Sequence, residues 1–221
     1  TGRQGGRRPV PRRLIQIVPE TGSTNADLIA RIRGGEYWPE GQWLVADRQS
    51  AGRGRLGREW FDGKGNFMGS TAVHRRAADP PAETLSLLAG VAVHEAVAWH
   101  APPSAALHLK WPNDLMAQEG KLAGILLEAA GDAIVVGIGV NLADAPEIPE
   151  RPATALATLG SKVDRDVFAA DLVKAFDTEL DRWRNAGLAP LVRRWLDVAH
   201  AVGTPLSVSE PGGTFLAGTF D

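Results

Sequence analysis

Cysteine is absent from the 221-residue chain. That removes disulfides, thiolate metal ligands and cysteine nucleophiles together, and it fits a reducing compartment. Long apolar runs are missing too, none approaching the ~20 residues that a membrane-spanning helix needs. The N-terminus lacks the apolar stretch of a secretory signal. A soluble cytoplasmic protein is the resulting expectation. An excess of charge of one sign is also lacking, because 24 Lys plus Arg meet 26 Asp plus Glu for a formal net charge of −2. This balance favours neither nucleic acid nor an anionic membrane, so any affinity for a polyanion must come from local clustering.

What is present is an ordinary globular composition. Hydrophobic residues at 44% and charged residues at 23% argue against wholesale disorder. A mass of 23.5 kDa suits one domain with at most a small appendage. The organisation expected is a flexible, Gly- and Arg-rich tail at 1–9, a main domain at 10–199 and a small β module at 200–221.

Within the main domain, Arg13 to Val18 reads as a first strand, broken by Gly22. Ser23, Thr24, Asn25 and Asp27 then offer capping side chains to a helix carrying Leu28, Ile29 and Ile32. Gln42 to Asp47 and Asn66 to Val73 read as strands flanking a Gly- and Arg-dense loop. Thr84 to His100 is apolar almost all round, which predicts a buried helix. Leu107 to Met116 and Lys121 to Ala129 read as one hairpin across the polar turn 117–120, and Ala133 to Leu142 as the next strand. Helical spacing of Phe168, Leu172, Phe176, Leu180 and Trp183 predicts a helix over 166–183, and 190–199 predicts another. Thr204 to Asp221 reads as two or three strands, too few for an independent sheet domain. Strands arranged mostly as hairpins with helices between them imply an α+β fold with a mixed, largely antiparallel central sheet and flanking helices.

The most informative stretch runs from Arg48 to Trp60. Residues 48–58 hold four arginines and no acid, in a chain that is slightly acidic overall. Gly52, Gly54 and Gly57 satisfy a G-x-G-x-x-G pattern, but Asp62, Gly63 and Gly65 follow where the dinucleotide fingerprint requires a helix. Two readings remain. The first is an anion-binding loop, in which glycines expose backbone N–H groups, arginines offer forked donors, and Trp60 stacks on a ring. The second is a solvated basic loop. No Walker A motif is present at Gly63-Lys64 or Gly120-Lys121.

Lysine is scarce, with five against 19 arginines. Asn113 and Asp114, after Lys110-Trp111-Pro112, suit a turn. Lys121 opens a strand that contains Gly124, and strict pleating puts those two residues on opposite faces. Gly137 and Gly139 interrupt an apolar strand ahead of Asn141; tight strand packing explains them as readily as a ligand does. The five histidines show no metal-binding spacing, since His94-Glu95 lacks a histidine at 98. No Gly-x-Ser-x-Gly elbow is present.

Taken together and in order, Gly22-Ser23-Thr24-Asn25, the segment Gln49 to Trp60, Lys110-Trp111-Pro112-Asn113-Asp114 with Lys121 to Glu128, and Gly137 to Leu142 resemble the catalytic domain of biotin protein ligases. The resemblance spans about 14–199. It implies the biotin/lipoate ligase catalytic fold, related to class II aminoacyl-tRNA synthetases, with an SH3-like C-terminal module represented only from about residue 200. It also implies activation of biotin by MgATP to biotinyl-5′-AMP and transfer to a lysine of a biotin carboxyl carrier domain. By that resemblance Ser23, Thr24, Asn25, Gln49, Arg53, Gly54, Arg55, Lys121, Gly124 and Leu126 would bind biotin. Arg53, Arg55, Arg58, Trp60, Asn113 and Asn141 would bind ATP, and Lys121, Arg55 and Asp114 would be catalytic. Biotin and ATP with Mg²⁺ are the small molecules implied, and how a metal is held is not implied. Nothing ahead of residue 10 could form the winged helix-turn-helix of repressor-type members, so the resemblance implies a ligase alone. No nucleic acid or membrane partner is expected, and the chain would be a monomer or weak homodimer.

Overall fold

The computed structural model describes residues 15–148, 151–209 and 215–220. The tail expected at 1–9 and the first two residues of the strand expected from Arg13 lie outside them. The elements in chain order are β1 (Ile15–Val18), α1 (Thr24–Arg33), β2 (Trp43–Ala46), β3 (Phe67–His74), α2 (Leu85–Ala98), β4 (Leu107–Lys110) and β5 (Asp114–Ala117). There follow β6 (Gly120–Ala130), β7 (Ala133–Val140), α3 (Arg165–Ala186), α4 (Leu188–Asp197), β8 (Pro205–Ser209) and β9 (Phe215–Thr219).

The first seven strands form one sheet in the order β1-β2-β3-β7-β6-β5-β4. Only β1 and β2 run parallel, and every other pairing is antiparallel. The expected α+β architecture with a largely antiparallel sheet is therefore what forms. β8 and β9 make a separate two-stranded sheet, consistent with an incomplete SH3-like module.

One boundary differs from expectation. Residues 107–116 are two strands, not one, because the chain turns at Trp111-Pro112-Asn113 and β5 pairs back on β4, with Lys110 opposite Asp114. Pro112 has no N–H to give a ladder, so a strand cannot continue through it; the Trp111–Pro112 peptide is cis. The hairpin expected between 107 and 129 is thus a three-stranded meander, and 117–120 is its second turn, with Gln118 at φ 51°.

Alternation along the strands gives the sheet two different faces. Trp43, Val45, Phe67, Val136, Ile138, Val140, Ala123 and Leu115 face a large core formed with α2, α3 and α4. α2 is buried almost all round because the sheet lies under it and α3 and α4 lie over it. The opposite face is only half covered. α1 packs Leu28 with Leu44, Ala72, Val135 and the Ala130 and Ala133 end of the β6–β7 hairpin, leaving the part of that face around Gly124 and Gly139 to other segments.

A polar cluster secures α3 to the β2–β3 region. Arg184 Nη1 and Nη2 donate to the two Glu40 carboxylate oxygens at 2.8 and 2.7 Å, and Arg184 Nε donates to Asp79 at 3.1 Å. Burial by itself would raise the Glu40 carboxyl. Hydrogen bonds from Arg184 and the His74 amide, with the charges of Arg184 and Arg76, hold it below its ordinary value instead. Among the described residues Asp177 has no such partner. Burial, then the charges of Asp181 and Glu40, push it from 3.8 up to about 6. The native state therefore holds this proton more tightly than the unfolded chain does, and the stability linked to it falls as pH rises through about 6. Asp177→Asn is expected to stabilise the fold at about pH 8 by on the order of 1–2 kcal/mol and to leave it unchanged at about pH 4. Chemical denaturation at the two pH values checks this.

Candidate active site

The open half of the sheet is floored by glycine. Met68, Gly139, Gly124 and Asp114 are register partners across β3, β7, β6 and β5, and Ser70, Gly137 and Leu126 form the neighbouring row. A Cβ on Gly137 would collide with the Asn25 carboxamide, and one on Gly139 with the Trp60 indole. A Cβ on Gly124 would stand 2.8 Å from Trp60 Cζ3. These glycines are therefore where side chains of α1 and of the Arg-Gly loop lie on bare backbone. The tight packing that one reading gave for Gly137 and Gly139 is what forms, and the close neighbours are the side chains of Asn25 and Trp60.

α1 enters this floor with its N-terminus. Ser23 is its N-cap, in extended conformation, and Ser23, Thr24 and Asn25 are buried. Thr24 donates from its backbone N–H to Gln49 Oε1 at 2.8 Å. Its hydroxyl lies 2.7 Å from the Ser70 hydroxyl and 3.1 Å from the same Gln49 oxygen. Ser70 Oγ donates to Asn25 Oδ1 at 2.6 Å, and Asn25 Nδ2 donates to Glu128 at 2.8 Å. Gln49 is held in turn by Asp62, whose carboxylate accepts from the Gln49 N–H at 2.9 Å and from Arg48 Nε at 2.6 Å.

Lys121 and Gly124 lie on one face, contrary to strict pleating. A β-bulge shifts the β5–β6 register between Leu115 and Met116, so Leu115 faces Ala123 while Met116 faces Lys121. The extra residue, Leu122, goes into the core beside Ala123, and the lysine returns to the glycine side, its Nζ lying 3.1 Å from where a Gly124 Cβ would be. Bulges commonly redirect a side chain in this way. Lys121 Nζ pairs with Asp114 at 2.6 Å and lies 5.6 Å from the Trp60 ring centroid, a cation–π arrangement.

The Arg-Gly loop forms the wall. It is a narrow hairpin, closed by an Arg53–Glu59 bridge, a Gly54 N–H donating to Arg58 O at 2.7 Å and a Trp60 N–H donating to Gly52 O at 2.9 Å. Its tip is a 3₁₀ turn with Leu56 at φ 58°, so the glycine pattern does not open a helix. Arg53, Arg55 and Arg58 are exposed, and Arg55 Nη1 reaches across to Asn113 Oδ1 at 3.1 Å. Asn113 sits in the turn that its type suggested, and its Nδ2 donates to Ile125 O at 2.8 Å. Asn141 is buried, and its amide nitrogen faces the carbonyls of Thr154 at 3.2 Å and Lys121 at 3.4 Å. Its side chain thereby clamps the end of β7 to the start of β6.

All fifteen candidate site residues line one cleft of about 1140 Å³, larger than the roughly 300–1,000 Å³ typical of a single small-ligand pocket. Sequence reasoning missed two parts of its wall. One is the segment around Pro146, Ile148 and Arg151 to Ala153, which reads as a Pro-rich link. Lys121 anchors it, its N–H donating to Pro152 O at 2.9 Å and its carbonyl accepting from Thr154 N–H at 3.0 Å. The other is the far end, where His108, Lys110, His200 and Leu216 line the cleft and the two imidazoles lie 4.7 Å apart. Burial, with nearby His108 and Lys110, lowers the His200 pKa. Ser70 was also missed: a serine within a strand carries no signal until the register brings it under α1. Among the described residues no three His, Cys, Asp or Glu side chains gather to hold a metal.

Residues 22–142 match the biotin/lipoate A/B protein ligase family. The chain belongs to this family. Its relatives include a biotin–[acetyl-CoA-carboxylase] ligase of Mycobacterium tuberculosis, 40% identical over 93% of this chain and 78% of that one. A ligase of the same description from Paracoccus denitrificans is 35% identical over 93% of this chain and 88% of its own. Among solved structures, the biotin protein ligase of Aquifex aeolicus in complex with biotin and ATP superposes with a TM-score of 0.78 at 29% identity, covering 92% of this chain and 85% of that one.

The glycine floor of this family member makes a stability prediction. Gly139→Ala would drive a Cβ into the Trp60 indole and is expected to destabilise by about 1–3 kcal/mol, as overpacking does. Gly22→Ala, with nothing within 4 Å, is expected to change stability by less than about 0.5 kcal/mol. Denaturant titration of both variants compares them.

Proposed function

We propose that the protein is a biotin protein ligase, which joins biotin to ATP as biotinyl-5′-AMP and transfers the biotinyl group to a lysine of a biotin carboxyl carrier domain. The observation that carries this reading is the meeting, in one cleft, of a buried polar floor with the Lys121 ammonium and the loop arginines. Two kinds of ligand are accommodated side by side, a neutral polar ring and a polyanion. The relatives named as biotin–[acetyl-CoA-carboxylase] ligases support the same substrates.

The first step needs no protein nucleophile. The biotin carboxylate attacks the α-phosphorus of ATP, the bond to the bridging oxygen breaks, and pyrophosphate leaves. The protein has to hold two anions together and stabilise charge growing on phosphoryl oxygens. Ser23, Thr24, Asn25 and Gln49 would hold the biotin rings, with Gly124 and Leu126 lining the pocket beneath. Lys121, Arg53, Gly54 and Arg55 would meet the carboxylate and α-phosphate, and Arg58 the remaining phosphates. Trp60, Asn113 and Asn141 would surround the adenosine.

Asp114 holds Lys121 by an ion pair while no ligand competes. An incoming carboxylate or phosphate takes the ammonium over, and Asp114 is then available to orient the acceptor amine in the second step. That amine attacks the biotinyl carbonyl, loses a proton and expels AMP. Mg²⁺ would neutralise phosphate charge. With no protein cage for it among the described residues, it would be held chiefly by phosphate oxygens and water, as Mg²⁺ at nucleotides usually is.

No helix of the described residues is long and apolar enough to cross a membrane, and we place the activity in the cytoplasm, on a monomer or weak homodimer. The test is incubation with ATP, Mg²⁺ and a carrier domain, with biotin or lipoate supplied. Labelling by biotin supports the reading, and labelling by lipoate alone would replace it with lipoyl transfer. Tight, salt-sensitive binding of oligonucleotides with no labelling would favour a nucleic-acid module.

Lys121→Ala and Arg55→Ala are each expected to slow biotin-dependent pyrophosphate release by at least about 100-fold, with melting temperatures close to wild type. The loop arginines are expected to be cut by trypsin in the free protein and protected by biotin plus ATP, because closure over an anion neutralises them.

A further inference from the structure

The deepest layer of the floor is a directed chain of hydrogen bonds. At one end Glu128 is a carboxylate and can only accept. It fixes the Asn25 carboxamide with Nδ2 toward Glu128, at 2.8 Å, and Oδ1 toward Ser70. The single Ser70 proton is then committed to that Oδ1, at 2.6 Å. Ser70 Oγ therefore meets Thr24 as an acceptor, and the Thr24 hydroxyl proton turns inward, to Ser70 at 2.7 Å or Gln49 Oε1 at 3.1 Å. A Thr24 oxygen lone pair is left for the cleft. At the other end the Thr24 N–H fixes Gln49 Oε1, at 2.8 Å. Gln49 Nε2 is then directed away as a donor; it lies 3.1 Å from where a Gly52 Cβ would stand and has no hydrogen-bond acceptor among the described residues.

Ser70 is fully buried, Gly137 makes the room that Asn25 needs, and Glu128 comes from β6, on the far side of β7 from β3. Together they set the polarity of the Thr24 hydroxyl at the cleft, next to Gln49.

We propose that Ser70 and Glu128 are positioning residues for substrate recognition: they orient Thr24 as an acceptor beside the Gln49 donor that the Thr24 N–H fixes, a pairing that complements a cyclic urea, which offers N–H and C=O side by side. This deepens the ligase reading and rests on it. Neither residue touches the ligand; each acts through Thr24 and Asn25. The consequence is selective. Losing the chain scrambles donor and acceptor at the ring end and leaves the Arg-Gly loop and Lys121, where phosphate chemistry occurs, untouched.

The experiment is steady-state pyrophosphate release by the full chain with biotin and ATP varied separately, for wild type, Ser70→Ala and Glu128→Met, which removes the acceptor of the Asn25 amide at similar size. Both variants are expected to raise KM for biotin by about tenfold to hundredfold, the cost of one misdirected or unmatched buried hydrogen bond. KM for ATP is expected to stay within about twofold and kcat within about threefold, since uniform binding of one substrate is what is lost. A conservative variant, Ser70→Thr, retains the hydroxyl and is expected to recover most of the biotin KM.

An unchanged biotin KM in Glu128→Met, or equal losses in the KM for biotin and for ATP, would overturn the positioning role. Should Ser70→Ala fail to fold, Glu128→Met still decides, because that side chain is at the half-exposed end of the chain. Failure of the underlying reading is distinct: wild type itself would then release no pyrophosphate in response to biotin.

Discussion

The cleft depends on main chain left bare at Gly124, Gly137 and Gly139. Glycine within a strand costs roughly 0.5–1 kcal/mol relative to alanine, and here three are set close together in the middle of a sheet. Long ladders offset that cost. β3 and β7 pair over eight residues, from Phe67 with Val140 to His74 with Ala133, and β6 and β7 pair over as many. On the opposite face the same strands bury Phe67, Val136, Ile138, Val140 and Ile125 in the main core. The sheet is thus held by one face and left smooth on the other, so Asn25 and Trp60 can approach the backbone more closely than any side chain would permit.

On this floor the charges are unevenly divided. A chain with a net charge of −2 brings Arg53, Arg55, Arg58, Lys110 and Lys121 to one cleft. Asp114 is the acid in direct contact with one of them. That single ion pair keeps Lys121 ordered over Gly124 without neutralising the cleft as a whole. Concentrated positive charge at walls of low dielectric attracts polyanions far more strongly than the total charge suggests. The same lysine pins the 152–154 segment through its backbone, so a ligand drawn to its ammonium also meets a wall held at a fixed distance.

Much of this was legible because the motifs are local. Ser23-Thr24-Asn25 announces a capped helix start, and the Arg-Gly run announces a loop that is too charged to be core. The order of the strands was less legible, since β7 comes last of the sheet strands in sequence yet pairs in the middle, between β3 and β6. Pro112 marked a break that alternation alone passed over. The bulge at Leu122 was invisible: Leu122 and Ala123 are both apolar and neither marks itself as extra, so strand periodicity assigns Lys121 to the wrong face. Ser70 and Glu128 were illegible for a related reason. Their meaning comes from a cross-strand register spanning three strands and from a helix that starts more than forty residues before Ser70, at Thr24.

Floor and wall differ in how firmly they are made, and the proposed chemistry uses the difference. The floor is cross-linked on all sides by ladders and by buried polar groups with partners. The wall is a short hairpin whose arginines lie in solvent, tied to the floor by Trp60 on the glycines and by one exposed Arg55–Asn113 hydrogen bond. Exposed contacts of that kind hold little free energy, and segments with few buried contacts open first. An activated acyl phosphate must be shielded from water while it waits for an amine, yet its precursors must enter freely. A rigid floor that fixes the ring and a weakly held, cationic wall that anions draw inward satisfy both demands, because the charge that needs shielding is what closes the shield.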